Sequence, residues 1–517
     1  MRISIILILL TPLSLFAQKM EKQGKKDLKH AYFFLDMNDY VTAYFKFQEL
    51  KESYDPSAEI DFGLARCKLN QKGHEKYALE YIEPIYETKS LPNFYYYLGQ
   101  AYHWNGRFDE AITCFQNVLM DNKRTLEDEK VLDALNLAYN SKELITAKRK
   151  VEIINLGDKI NSEEQESVPV LMPNGSGMFF TSRRKDNVSP KKDYLDNYFQ
   201  DIYFAKHENF EWSTPRNVKE INSLLHDASA SMTQDGSQLV YFKTNPVKVT
   251  GGDLYIADCD ANGNLSNEVK LSSEINTEYI ESSASFSPDG NTIYFSSNRP
   301  GGYGGLDLYK SNKLPNGEWG RVINLGPNVN TKHNEEAPFM HDDGVTLYFS
   351  SNGHMGMGGY DIFFTKMDKE NIWRKPENFG YPINSINHDL YIQVSPDSRT
   401  AYYSSNREGG YGGDDIYKIE ILDHESYKTV IAGKVISSRE GKVLRSKITA
   451  INEEDRNLNG IYRSNPNSGQ FIIVVRPLEY YQFIIEAEGH QTKTVRYSFE
   501  ELSEMEELNI ELTANAE

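Results

Sequence analysis

Residues 292–309 read Thr292-Ile293-Tyr294-Phe295-Ser296-Ser297-Asn298-Arg299-Pro300-Gly301-Gly302-Tyr303-Gly304-Gly305-Leu306-Asp307-Leu308-Tyr309. An alternating run, a glycine-rich loop and a second run headed by Asp-aliphatic-aromatic describe two strands joined by a loop. That head recurs as Asp201-Ile202-Tyr203, Asp253-Leu254-Tyr255, Asp307-Leu308-Tyr309, Asp361-Ile362-Phe363 and Asp415-Ile416-Tyr417, at intervals of 52, 54, 54 and 54 residues. Upstream of each copy lies a tight-turn signal: Pro173-Asn174-Gly175, Gln234-Asp235-Gly236, Pro288-Asp289-Gly290, Asp342-Asp343-Gly344 and Pro396-Asp397-Ser398. Turn residues between alternating runs make hairpins. Each unit closes on one more strand, often led by tryptophan, as at Trp212, Trp319 and Trp373. Four short strands per repeat of about 40–55 residues is the arithmetic of a β-propeller.

Ring closure follows from the same repeat. Val151-Glu152-Ile153-Ile154-Asn155-Leu156-Gly157 copies the last strand of a unit yet precedes the first one, and the fifth unit stops after its third strand at Ile421. The early strand is expected to complete the fifth blade. That gives a five-bladed propeller over residues 150–422, with six blades as the alternative if later sequence adds one.

Every repeat also places an acid five residues after an asparagine: Asn161 and Glu166, Asn222 and Asp227, Asn276 and Glu281, Asn330 and Glu335, Asn384 and Asp389. These acids and the loops Gly301–Gly305 and Gly409–Gly413 are expected on one face. Two readings stand side by side: a central site for a cation or a basic peptide end, or carboxylates accepting neighbouring backbone N–H groups in every blade. Recurrence in all five units favours the structural reading. Features that differ between blades are the better candidates for a partner or ligand face: Lys191, Lys192 and Tyr194 in the extra loop 185–200, with Tyr303, Tyr411, Arg299 and Arg407.

The first third is different in kind. From Lys25 to Ala147 the pattern is helical, and Tyr95-x2-Leu98-Gly99-x2-Tyr102, Gly106-Arg107-Phe108 and Ala111-x3-Phe115 match the tetratricopeptide pattern. Ala31, Phe34, Tyr40, Ala43 and Phe47 repeat the register. An all-α solenoid over 24–149 is expected, offering either a groove for a partner or a spacer. At the other end, residues 428–513 read as alternating strands of a small β-sandwich. Gly433-Lys434-Val435, Ser468-Gly469-x-Phe471, Tyr481 and Glu488-Gly489-His490 resemble the carboxypeptidase regulatory-like, transthyretin-like module. At the start, Met1-Arg2, the apolar run Ile3–Leu10 and Leu15-Phe16-Ala17-Gln18 make a secretory signal, residues 1–17, cleaved after Ala17. The fold class is thus multidomain: helical solenoid, propeller, sandwich.

Composition sets limits on function. Lys+Arg 56 against Asp+Glu 75 gives a formal charge of −19 in 517 residues, which argues against a nucleic-acid or anionic-membrane binder. Three cysteines, Cys67, Cys114 and Cys259, are too few for a disulfide framework and read as core residues. The glycine-rich loops lead into strands and lack a GKS or GKT, so they are no phosphate cradle. His333-Asn334-Glu335-Glu336 has the outline of a zinc-carboxypeptidase motif, but Glu335 is a repeat position. No Gly-x-Ser-x-Gly or His-Glu-x-x-His is present. No catalytic, metal or cofactor site is expected, and the chain is expected not to be an enzyme.

Taken in order, these segments resemble a periplasmic protein family of the Bacteroidetes. Asn155-Leu156-Gly157-x2-Ile160-Asn161 and the run Ser404–Gly413 are similar to its WD-like, TolB-type propeller repeats. The PorE-type component of the type IX secretion and gliding machinery is the nearest parallel. Members continue into an OmpA-like domain that grips peptidoglycan; the sequence ends at Thr513-Ala514-Asn515-Ala516-Glu517, so the expectation is a member lacking that anchor or a fragment of one. The resemblance implies an exported scaffold in the periplasm, at or near the outer membrane, binding envelope proteins through the helical groove and propeller face. A glycan or peptidoglycan sensor using the propeller face is the alternative. Neither reading involves nucleic acid, a cofactor or a membrane span after signal cleavage.

Overall fold

The computed structural model describes residues 22–515, except 88–90, 122–124, 174, 194–195, 248–250, 423–428, 440, 454–455, 466–467, 477–479 and 506. The expected signal segment, Asn174 of the first turn and Tyr194 lie outside the described residues. The chain divides into two compact units, residues 1–138 and 139–517.

In the first unit the helices Lys22–Asp36, Tyr40–Ser53, Ala58–Lys68, Phe94–His103 and Phe108–Met120 form because alanine, leucine and aromatics recur at helical spacing. Neighbouring helices approach closely where a glycine faces a ring: a Cβ added at Gly63 would lie 2.3 Å from Phe47, and one at Gly99 2.7 Å from Phe115. The expected extended all-α solenoid is not formed, and the fold class is corrected accordingly. The protein is mostly β, with eight α-helices among the described residues, the longest of 19 residues. Pro84 gives the physical reason for part of this. It falls in the 3₁₀ turn Glu83–Ile85, and the helix before it, Ala78–Ile82, has only five residues. Proline lacks the N–H and its ring crowds the carbonyl four residues back. The buried residues accordingly gather in two separate apolar clusters, one around Phe47 and Leu64, the other around Phe94 and Phe115.

The second unit holds five antiparallel sheets. Their innermost strands are Glu166–Leu171, Asp227–Met232, Glu281–Phe286, Glu335–Met340 and Asp389–Val394. Each touches the next, and the last touches the first, so the sheets close into a five-bladed β-propeller. Val151–Asn155 is the outermost strand of blade five, pairing with Asp415–Ile421 in the register Val151 to Ile421 and Asn155 to Tyr417. No sixth sheet joins the ring among the described residues.

One side chain repeats a specific job between blades. Asn161, Asn222, Asn276, Asn330 and Asn384 sit on the segments running from the outer strand of one blade to the inner strand of the next. Each accepts the N–H and donates to the C=O of one residue in the preceding blade's third strand: Ile416, Ile202, Leu254, Leu308 and Ile362, at 2.7–3.0 Å. An asparagine amide has one donor end and one acceptor end, so it continues the strand ladder as a backbone would.

The remaining strands form two facing sheets. Gln470–Val475, Thr429–Ser437 and Leu508–Leu512 make one; Leu458–Arg463, Ser446–Asn452, Tyr480–Ala487 and Lys493–Ser498 make the other. Their alternating inward residues, among them Val435, Ile448, Phe483 and Ile510, share one core. This sandwich meets the hairpin-turn face of the propeller, where Ile461 N–H donates to Asp343 O at 3.0 Å. A side chain at Gly344 in that turn would fall 2.4 Å from Ile461 O.

Asn384→Ala leaves the buried N–H of Ile362 without its partner, while the C=O keeps Phe379 N at 2.9 Å. For one stranded group the expected loss is about 1–3 kcal/mol. Denaturant unfolding should show a lower midpoint; an unchanged midpoint would mean that water replaces the amide.

Candidate functional site on the glycine-rich loop face

The loops between second and third strands lie on the face opposite the sandwich. In blade three, Asp307 opens the third strand, and its carboxylate accepts from Tyr303 N at 2.7 Å, Gly304 N at 2.9 Å and Asn324 Nδ2 at 2.7 Å. Blade five repeats this, with Asp415 accepting from Tyr411 N at 2.7 Å and Asn155 Nδ2 at 2.7 Å. Glycine is required where the loop crosses the next blade. A Cβ on Gly304 would lie 2.2 Å from His333 O, and one on Gly412 2.0 Å from Glu164 O. Such a loop holds its tyrosine rigidly outward: Tyr303 is 51% exposed and Tyr411 50%. Blade four has Met357 at the matching position, bonded through its N–H to Asp361 but buried.

Arg299 and Arg407 are mostly covered, with their guanidinium groups bonded inside the propeller. Arg299 donates to Ile275 O at 2.6 Å, pairs with Glu281 at 3.2 Å and lies over the rings of Phe295 and Tyr309. Arg407 does the same with Ile383 O, Asp389, Tyr403 and Tyr417. Arg184 plays this part in blade one, against Glu166 and Ile160 O. In blade four His354 takes it over, its Nε2 lying 2.8 Å from Val329 O. Burial holds that imidazole below the usual histidine range.

All five ring acids are fully buried. Four of them, Glu166, Glu281, Glu335 and Asp389, accept a backbone N–H four residues back and a serine hydroxyl from the adjacent strand. Their oxygens are engaged within their own blade. Asp227 differs, because Lys243 replaces that serine and Asn245 replaces the arginine. It accepts Ser223 N at 2.5 Å, and its Oδ1 is buried with no partner. Burial pushes its carboxyl from 3.8 up to about 7.

Lys191 is exposed on the extra loop, and Lys192 is paired with Asp196 at 3.0 Å over the Tyr198 ring. That loop is pinned by Arg183 to Asp193 at 3.1 Å and by Tyr203 Oη to Asn187 at 2.7 Å. Three residues at the centre escaped the sequence reading. Two positions past each ring acid stand Val168, Ser229, Ser283, Ala337 and Tyr391, so one bulky side chain occupies a place that is small elsewhere. Tyr391 has φ 58° and packs against the apolar cluster of blades one and two. Beside it Tyr360, hydrogen-bonded by Asn334 Nδ2 at 3.1 Å, also hydrogen-bonds Glu336. Burial, then Glu336, raises both tyrosine hydroxyls. Comparing the repeats position by position is the signal that finds Tyr391.

No described group of histidine, cysteine and carboxylate side chains could hold a metal ion, and no described helix is long and apolar enough to cross a membrane. No protein-family profile matches the chain, and no curated protein matches it in sequence. Among solved structures it is similar to a putative TolB from Agrobacterium tumefaciens, at 12% identity over 63% of this chain and 97% of that one, TM-score 0.32. It is also similar to the Penicillium chrysogenum α-L-arabinanase complexed with arabinobiose, at 11% identity, 53% and 99% coverage, TM-score 0.34. A third is the α-L-arabinofuranosidase from Lactobacillus brevis, at 10%, 56% and 97%, TM-score 0.35. At these values the likeness concerns the fold and assigns no activity. The expectation that the chain is not an enzyme is nevertheless corrected and withdrawn: an arabinanase and an arabinofuranosidase stand among the matches.

Asp227 makes stability depend on pH. Its folded pKa lies above the unfolded one, so its contribution is full below about pH 4 and is lost as pH rises through about 7. Asp227→Asn removes that loss. Between about pH 4 and 7 the variant should gain on the wild type by at most about 1.4 kcal/mol per pH unit in urea unfolding; parallel pH profiles would contradict the assignment.

Proposed function

We propose that the chain is a binding platform of the cell envelope whose glycine-rich loop face takes a glycan. The observation that carries this reading is the pair Tyr303 and Tyr411. They stand half-exposed at equivalent positions on loops whose backbone is fixed by Asp307 and Asp415. A tyrosine held this way offers a flat apolar ring with a polar tip and loses little conformational freedom on binding. Such a surface suits a sugar ring, which is apolar on its faces and hydroxylated at its edge. Lys191 on the extra loop is an exposed cation suited to acidic substituents, whereas the charge of Lys192 is met by Asp196. The family resemblance supports the setting: an exported protein of the periplasm, close to the outer membrane, within a type IX secretion or gliding complex and in contact with its envelope proteins.

Soluble muropeptides and neutral oligosaccharides titrated into the full chain should raise its thermal midpoint. Tyr303→Ala and Tyr411→Ala should each weaken binding about fivefold or more. Assaying the same mixtures for new reducing ends reports whether binding leads to hydrolysis. Unaltered affinity in both variants would remove the reading.

A further inference from the structure

On the opposite face, a cleft of about 710 Å³ lies between blade three and the sandwich. Its charged lining is Asp289, Lys313, Arg445 and Arg463. Asp289 and Arg463 pair with each other. Lys313, just past the strand Asp307–Asn312, and Arg445, just before Ser446–Asn452, are exposed and have no carboxylate partner among the described residues. Two cations therefore remain unneutralised in one concavity of a chain whose formal charge is −19. Thr292 and Asn291 spend their side-chain donors within the lining, and Asn312 has one to spare. Asn312 Oδ1 accepts from Thr292 Oγ1 at 2.9 Å, which leaves its Nδ2 as a donor. A second hollow of about 990 Å³ adjoins the cleft, shares Asp289, Asn291, Lys313, Arg445 and Arg463 with it and carries its own carboxylates, Asp235, Asp342 and Glu507, away from the pair Lys313 and Arg445.

We propose that this cleft binds a small anionic ligand bearing a carboxylate or phosphate group, up to about a disaccharide in size. Lys313 supplies a point charge and Arg445 a planar fork of donors, which together suit an oxyanion. Neither carries an ion pair among the described residues; Lys313 lies over the Trp319 ring at 5.6 Å, a contact that glutamine loses, so the melting temperature of each variant is measured beside its affinity. The two residues belong to different domains, and the site exists only while sandwich and propeller are seated together. The cleft is on the face away from Tyr303 and Tyr411, so the test of one reading leaves the other untouched.

The test is calorimetric titration of the full chain at low ionic strength with three probes: D-glucuronate, inorganic phosphate and neutral glucose. The expected result is saturable binding of at least one anion and none of glucose. Glucuronate alone binding assigns a carboxylate ligand, and phosphate alone assigns a phosphate ester. Lys313→Gln and Arg445→Gln should each weaken the anion about tenfold, while Lys369→Gln, an exposed charge on blade four outside the cleft, should leave it unchanged. No anion bound by the wild type, or both cleft variants binding like the wild type, would overturn the proposal.

Discussion

Five asparagine amides hold this propeller together. Each stands in for a piece of backbone, bonding the N–H and C=O of one residue in the preceding blade's third strand. Neighbouring blades also meet through apolar packing, which has no direction, and through backbone bonds such as Glu335 N to Leu306 O at 2.7 Å and Asp389 N to Tyr360 O at 2.8 Å; the amides add a register-setting bond pair in every blade. The same segments carry the ring acids, whose carboxylates gather N–H and hydroxyl donors at the start of the inner strand. In blades three, four and five the loops above it are short and glycine-dense.

The proposed glycan surface lies where the repeat is broken. Tyr303 and Tyr411 are displayed by loops whose blade-four copy buries Met357 instead. Tyr391 puts a ring where four other blades keep a small side chain. Asp227 lacks the serine that its counterparts use, and it alone of the five ring acids is raised to about 7. A ring of equivalent blades would offer a symmetric surface; these departures give it orientation.

Much of the propeller is legible in the sequence because its signature residues bond backbone, and backbone geometry repeats. Asn330 recurs at fixed spacing since it serves the same N–H and C=O in each blade, and Asp307 recurs because the head of each third strand needs a carboxylate for the donors of the loop before it. The strand Val151–Asn155 is legible for the same reason, as a unit's last strand placed first. Arg299 and Arg407 mislead because charge suggests exposure, whereas the rings of Phe295, Tyr309, Tyr403 and Tyr417 cover their guanidinium groups. In the helical third, contacts such as Gly63 on Phe47 are local and read as an array, but local pairing does not dictate how far an array extends. Missing motifs are a weak guide to missing activity. The basic cleft has no sequence signal at all, since Lys313 and Arg445 meet only through tertiary structure.

Hydrogen–deuterium exchange of the full chain tests the central claim that the ring is closed by its first strand and locked by asparagine. The amides of Val151–Asn155 should exchange as slowly as those of Asp415–Ile421, their pairing partner. Exchange of Val151–Asn155 at the rate of an unpaired segment, with the inner strands still protected, would contradict it.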